Sequence, residues 1–252
     1  MAVKNTLEQA KDKFQRIVAD NYLGDEEVLV TVGVLSPKQA IGTPSRQDYA
    51  LLEGKEVMIE AQFKESFGQA FTDQPGGFTG HLNDILSLSL ATSQERAIFI
   101  ATLNAVMAHL DIVTGLRHCH DEEPEECARQ IAEYILNKFG KVKVGLIGLQ
   151  PAILEKLVKT FGPANIRCTD INSKNIGSPK YGTEIWDGRT ETPRLISWCD
   201  VLLVTSSTIV NNTFDDISKD ALKLGKPLII FGVSGAGLSV LLGLERVCFS
   251  SH

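Results

Sequence analysis

The ten residues 118–127, HCHDEEPEEC, combine two histidines, two cysteines and five acids, all of which are side chains that bind metal ions. His118 and His120 are two residues apart and would point the same way in an extended segment, with Cys127 as a third ligand. The spacing matches no established zinc pattern. Pro124 and the surrounding acids are also typical of the first turn of a helix, where the helix dipole favours acids. Two interpretations therefore stay open: a metal site, or a helix start beside buried thiols.

A second group of polar and glycine residues follows the predicted strands of the C-terminal half. In open α/β sheets, ligands bind beyond the carboxyl ends of the strands. The residues at these ends are therefore predicted to bind a ligand: Gly148, Gln150, Pro151, Asp170, Asn172, Thr205, Ser206, Ser207, Asn211, Gly232, Ser234 and Gly235. Asp170 is the best candidate for binding a ligand hydroxyl or acting as a catalytic base.

The first of these loops matches a dinucleotide-binding motif poorly. Aligned on Gly148, the second and third glycines of G-x-G-x-x-G are replaced by Gln150 and Ile153. The second glycine normally lets the backbone approach the pyrophosphate, and a Gln side chain fills that space. NAD and FAD are therefore not expected, although a methyltransferase or dehydrogenase with a degenerate loop stays an alternative.

Asn104 is an anomaly in the N-terminal half, because it lies mid-helix among apolar neighbours in ATLNAVMAHL (101–110). A buried amide is costly unless it is hydrogen-bonded. Asn104 is therefore predicted either to contact a ligand at the domain interface or to make a structural hydrogen bond.

The N-terminal half has the pattern of a small α+β unit. Apolar spacing predicts a helix over residues 6–22, and β-branched residues predict a strand over 27–35. Residues 49–63 are predicted to form a hairpin that turns at Gly54. A long helix is predicted after Thr92, which has capping-box spacing with Glu95.

From residue 141 the pattern changes to alternating strands and helices. Strands are predicted over 141–148, 165–170, 184–186, 200–205, 227–232 and 246–249. Helices are predicted over 151–161, 193–198, 214–225 and 237–244, with Thr213 capping the third. This alternation predicts an α/β fold with a doubly wound parallel sheet. The domain boundary is placed between residues 139 and 140, giving domains 1–139 and 140–252.

Composition narrows the class of protein. The chain has 252 residues and a net charge of −6, which disfavours a nucleic-acid partner. It has no apolar run long enough to span a bilayer, and its N-terminal residues lack the apolar core of a signal peptide. The five cysteines are expected to be reduced thiols in a cytoplasmic protein, and a homodimer is the default oligomer.

Several stretches together resemble a known family. They are GQAFTD (68–73), TLNA (102–105), the C-x-D-x-x-P-x-x-C-A run (119–128), VGLIGLQPA (144–152) and VTSSTIVNNT (204–213). The chain resembles the "putative heavy-metal chelation" family, whose members pair an enolase N-terminal-like α+β domain with a Rossmann-like domain. The resemblance implies this fold and a small-molecule site in the cleft between the domains, but no established reaction.

The leading hypothesis is that the protein binds or transforms a small polar molecule in that cleft, with Asn104 reaching it from the N-terminal side. The link to chelation suggests a pterin-like, flavin-like or siderophore-like ligand, with condensation or hydrolysis as candidate chemistry. The alternative from a different class is a non-enzymatic protein that binds a transition metal through His118, His120 and Cys127.

Overall fold

Two β-sheets with helices packed against them organise the chain, in a mixed α/β arrangement. The computed structural model describes residues 5–24, 30–54 and 56–252. Residues 27–29 of the predicted strand and Lys55 of the predicted hairpin lie outside the described residues.

The first sheet is antiparallel and belongs to the N-terminal half. The elements of this half are α1 (Thr6–Asp20), β1 (Val30–Val34), α2 (Pro37–Ile41), α3 (Ala50–Glu53), β2 (Val57–Phe63), β3 (Ser66–Thr72), β4 (Phe78–Gly80), α4 (Leu82–Ser87) and α5 (Ser93–His109). The strand order is β3-β2-β1-β4. The predicted capping box of α5 is confirmed, because Thr92 Oγ1 accepts the Glu95 N–H at 3.1 Å and Glu95 Oε2 accepts the Thr92 N–H at 3.3 Å.

The hairpin predicted around Gly54 is wrong. Residues 50–53 form the short helix α3, and Gly54 ends it in the left-handed conformation at φ 74°. The hairpin of this region is β2–β3, which turns at Lys64 and Glu65 with Phe63 paired to Ser66. A glycine in the left-handed conformation ends a helix as readily as it turns a hairpin, so the local sequence does not separate the two.

The second sheet is mostly parallel and belongs to the C-terminal half. After α6 (Glu123–Phe139), the elements are β5 (Val144–Ile147), α7 (Pro151–Phe161), β6 (Ile166–Asp170), β7 (Pro179–Lys180), β8 (Thr183–Asp187), α8 (Thr192–Trp198), β9 (Val201–Thr205), α9 (Ser207–Val210), α10 (Phe214–Lys223), β10 (Leu228–Phe231), α11 (Ala236–Leu242) and β11 (Arg246–Val247). The strand order is β11-β10-β9-β5-β6-β8-β7, with only β7 antiparallel to its neighbour among the described strands. The predicted strand–helix alternation and parallel pairing are confirmed.

The order of the parallel strands creates a crevice. The chain runs from β5 outward through β6 and β8, then returns to the other side of β5 with β9 and β10. The connections after β5 and β9 therefore leave the sheet in opposite directions, which opens a gap at the carboxyl ends of these two strands.

One capping prediction in this half is wrong. The Thr213 side chain makes no capping hydrogen bond to α10; its hydroxyl donates instead to Asn211 Oδ1 at 2.6 Å.

The two halves are packed closely together. α5 lies on β3 and also packs against α11. Gly68 of β3 permits this approach, because a Cβ there would lie 2.2 Å from the backbone nitrogen of Ala105. One hydrophobic cluster contains buried residues from both sheets, Ile59 of β2 and Ile230 of β10 among them. No helix within the described residues has the length and apolar character needed to cross a membrane.

Candidate functional site

A cavity of about 420 Å³ lies at the carboxyl ends of the parallel strands. Nine of the residues predicted to bind a ligand line it: Gly148, Gln150, Pro151, Asp170, Thr205, Ser206, Ser207, Asn211 and Gly232. The N-terminal half supplies the facing wall with Ile41, Tyr49, Leu51, Glu56, Phe71 and His118. The site therefore combines residues from both halves of the chain.

Four predicted ligand-binding residues do not line this cavity: Asn104, Asn172, Ser234 and Gly235. The Asn172 backbone N–H donates to Asp170 Oδ1 at 2.6 Å, so this residue shapes the loop after β6. Ser234 Oγ accepts the Phe71 N–H at 2.9 Å and joins the two halves. Gly235 packs against Ser206, since a Cβ there would lie 2.9 Å from Ser206 Cβ.

Asn104 is fully buried and makes structural hydrogen bonds, as the second of its two predicted roles required. Its Nδ2 donates to the carbonyl oxygens of Gln69 at 3.0 Å and Val233 at 3.3 Å. Its Oδ1 accepts the Gly237 N–H at 2.9 Å. The amide therefore fixes α11 and the preceding loop against the N-terminal half and does not reach the cavity.

Side-chain oxygens already occupy backbone donors of the loop after β5. Asp170 Oδ2 accepts the Leu149 N–H at 2.7 Å, and Gln150 Oε1 accepts the Ile153 N–H at 2.6 Å. Pro151 has no N–H to offer. Of the groups that could hold a pyrophosphate at the start of α7, the Leu149 and Ile153 N–H are already bonded and Pro151 has none, which disfavours a dinucleotide at this loop.

Gly148 is required by packing. Its φ is +88°, and a Cβ would lie 2.3 Å from Thr205 Cγ2. The loops after β5 and β9 therefore approach one another closely, and this glycine needs no ligand to explain it.

Two buried hydroxyls in the cavity wall have no hydrogen-bond partner. Ser206 is 1% exposed and Thr169 is fully buried, and the oxygens of both are unpartnered within the described part of the chain. An unsatisfied buried hydroxyl costs free energy, so a polar ligand that bonded to it would recover that cost. Ser206 was predicted from the sequence, whereas Thr169 was missed because it lies inside strand β6.

Glu56 is a site residue that sequence reasoning missed. Burial is the main reason that its pKa is raised to about 7, and the nearby carboxylates of Asp170 and Asp73 add to the effect. Nothing in the local sequence marks this residue, since an acid before a strand is usually exposed. Its position depends on how the antiparallel sheet packs over the crevice.

The segment 118–127 forms the start of helix α6, and the helix-start interpretation is confirmed. The acids there bind the loop before α3: Asp121 Oδ1 accepts the Thr43 N–H at 2.8 Å, and Glu122 Oε1 accepts the Ser45 N–H at 2.7 Å. No group of three His, Cys, Asp or Glu side chains within the described ranges is placed to hold a metal ion. The predicted set of His118, His120 and Cys127 is therefore not brought together as a metal site.

His118 nevertheless lines the cavity, while His120 does not. Burial lowers the pKa of His118 to about 4, so the ring is neutral near pH 7. Its Nδ1 lies 2.7 Å from the carbonyl oxygen of Cys119, and its ring packs edge-on against Phe71 at 5.5 Å. His118 is thus a fixed, uncharged part of the wall.

Three cysteines also line this wall: Cys119, Cys127 and Cys248. The Cys127 thiol lowers the pKa of Cys248, and the positive charge of Arg246 acts in the same direction. The interaction with Cys248, together with burial, raises the pKa of Cys127. Cys248 is therefore the more acidic thiol of this pair.

The fold and site define a mixed α/β protein. Its ligand-sized cavity lies where the strand order of the mostly parallel sheet reverses. The family model described as "Putative heavy-metal chelation" (DUF364) matches residues 130–243, from within α6 past the end of α11. The resemblance to this family that the sequence motifs indicated is confirmed.

Solved structures of the same family are similar to this chain. One is a protein of unknown function from Pyrococcus horikoshii, with 17% sequence identity and a TM-score of 0.56; the match covers 92% of this chain and 80% of that chain. Another, from Desulfitobacterium hafniense DCB-2, has 15% identity and a TM-score of 0.47, covering 74% of this chain and 72% of that chain. At 17% identity the first likeness shows a shared fold. No curated protein matches the chain significantly.

Proposed function

We propose that this protein binds a small polar molecule in the cavity between an enolase-like α+β half and a Rossmann-like half. The observation that carries the proposal is the cavity of about 420 Å³ at the point where the strand order reverses, with Ser206 and Thr169, whose hydroxyls are unpartnered within the described residues, in its lining. A cavity of this size suits a ligand of a few hundred daltons, and such sites usually combine apolar walls with a few polar groups.

The two walls suggest separate roles. Thr205, Ser206, Ser207 and Asn211 offer hydroxyl and amide groups to the polar part of the ligand. Tyr49, Leu51, Phe71, Ile153 and Phe231 offer an apolar surface to its body. Asp170 already accepts two backbone N–H groups, so its remaining lone pairs support hydroxyl binding better than a role as a free base.

The family description links the ligand to heavy-metal chelation. A chelator or a related small molecule of pterin-, flavin- or siderophore-like character fits a cavity with one apolar and one polar wall. The residues do not fit a resident metal ion, because the described side chains form no three-ligand group. The proposal is therefore binding of an organic molecule, without a protein-bound metal.

Native mass spectrometry of gently purified protein tests this function. The wild-type protein is expected to retain an organic molecule, and Ser207→Phe, which fills the cavity, is expected to lose it. Ser197→Phe is the matched control, since Ser197 is exposed on α8 and does not line the cavity. The proposal would be contradicted if all three proteins showed only the mass of the unliganded chain and if a small-molecule collection shifted their melting temperatures equally.

A further inference from the structure

Glu56 lies where two cavities meet. It lines the main cavity and also a smaller neighbouring one, whose wall includes Asp73 and Asn211. Within the described part of the chain its carboxylate has no hydrogen bond or ion pair. The charged groups that face it are Asp170 across the cavity and Asp73 beside it, and both are acids. Among the described residues, this half-buried carboxylate therefore has only acidic neighbours and no counter-ion.

More acids than bases line the main cavity. Four carboxylates line the main cavity: Glu56, Asp170, Asp216 and Asp220. Arg189 also lines it, but its guanidinium lies 3.6 Å from the Asp187 carboxylate outside the cavity wall. His118 is neutral near pH 7 because burial lowers its pKa to about 4. A cationic ligand would therefore find favourable charge here, whereas an anion would not.

The neighbouring polar groups suit an ammonium group better than a metal ion. An ammonium group carries N–H donors that need separate acceptors. Glu56 and Asp170 offer carboxylate oxygens, and Ser207, which lines both cavities together with Glu56, offers a hydroxyl oxygen as another acceptor. A metal ion would require ligands grouped closely around one point, and the described residues form no such group of three.

We infer that the acidic end of the cavity binds the protonated amine of a small ligand with an apolar body, and that Glu56 loses its proton to solvent when the ligand binds. In the exchange, R–NH3+ and the Glu56 carboxylic acid give an ammonium–carboxylate pair and one H+ in solution. This inference rests on the proposed function and names the chemical class of its ligand.

Isothermal titration calorimetry near pH 7 tests the inference with three probes: 2-phenylethylamine, 2-phenylethanol and phenylacetate. The amine is expected to bind more tightly than the alcohol or the acid, because only the amine pairs with Glu56. Repeating the titration in two buffers of different ionisation enthalpy measures proton release, which is expected for the amine alone. This readout uses wild-type protein and does not depend on any variant folding.

Glu56→Gln is expected to weaken amine binding by roughly tenfold or more and to abolish proton release, since one partner of a buried charge pair is removed. Glu53→Gln is the matched control, because Glu53 is exposed and outside the cavity. Tighter binding of the alcohol than of the amine would overturn the inference while leaving the cavity a small-molecule site. The inference would also be overturned if the amine bound without releasing a proton, or if Glu56→Gln left amine binding unchanged. Absence of heat from every probe at millimolar concentration would overturn it as well.

Discussion

The carboxylate of Asp170, at the end of strand β6, accepts the backbone N–H of Leu149, in the loop after the neighbouring strand β5, at 2.7 Å. It also accepts the N–H of Asn172 at 2.6 Å. One side chain therefore fixes two of the loops that form the cavity wall. Hydrogen bonds to a charged acceptor contribute more to stability than neutral ones do.

Asp170→Ala is therefore expected to lower the free energy of unfolding by about 2–4 kcal/mol, since two partly buried N–H groups lose a charged acceptor. Urea unfolding at neutral pH measures the change. Asp187→Ala is the control, because Asp187 ends the next strand of the sheet and accepts the Arg189 N–H of its own turn at 2.9 Å. An equal loss in the two variants would show that the link between loops adds nothing.

Asn104→Ala is expected to destabilise the protein by about 2–4 kcal/mol, because it removes a fully buried amide that bonds three backbone groups. The folded variant is still expected to retain a cavity ligand, since Asn104 does not line the cavity. Thermal or urea unfolding and native mass spectrometry check the two outcomes separately. Asn83→Ala is the control, because Asn83 is exposed and its side-chain amide donates to the Gly24 carbonyl at 2.8 Å. Loss of the ligand from a well-folded Asn104→Ala protein would show that Asn104 does contribute to ligand binding.

Glu56 is expected to make the protein less stable as the pH rises. Its pKa is raised from 4.5 to about 7, so the folded state holds the proton more tightly than the unfolded state does. The stabilisation from this proton is complete below pH 4.5 and is lost as the pH rises to about 7. The loss amounts to about 3–3.5 kcal/mol, from 1.36 kcal/mol per pKa unit.

Unfolding free energies of wild type and Glu56→Gln, measured across this pH range, isolate the effect. Glu56→Gln is expected to become the more stable protein above about pH 7, and the difference between the two curves follows the titration of Glu56. Parallel curves at every pH would mean that Glu56 titrates as an ordinary exposed acid.

Cys248 is expected to react with iodoacetamide faster than the other cysteines near pH 7. Cys248 is partly exposed, and the neighbouring Cys127 thiol lowers its pKa, whereas Cys168 and Cys199 are fully buried. Cys127→Ala removes this thiol and is expected to shift the pH dependence of Cys248 alkylation upward. Peptide mass spectrometry over a pH series measures both effects; an unchanged profile in Cys127→Ala would rule out the Cys127 thiol as the cause.

Most elements of the C-terminal half could be predicted from short-range patterns, although β7 and α9 are not among them. The apolar run before Gly148 and the proline at 151 are local signals, and both mark the observed boundaries. In the N-terminal half, the capping spacing at Thr92 marks the start of α5 in the same way. The grouping of Asp170, Thr205 and Ser206 also followed from the sequence, since the carboxyl ends of parallel strands meet at one edge of a sheet.

Predictions from local sequence were wrong where the same short pattern is compatible with two different structures. Gly54 ends a helix instead of turning a hairpin, and the acids near Pro124 bind a loop backbone instead of a metal ion. In each case the choice depends on contacts with distant residues, which no window of the sequence contains.

The sequence by itself determined the order of the strands and helices in the C-terminal half and the polar loops at one edge of its parallel sheet. Only the tertiary structure decided what faces those loops. Glu56, Phe71 and His118 reach the cavity because the antiparallel sheet and α5 pack against the second half through Gly68 and Asn104. The raised pKa of Glu56 has the same origin, since burial and the acids facing it exist only once the two halves have come together.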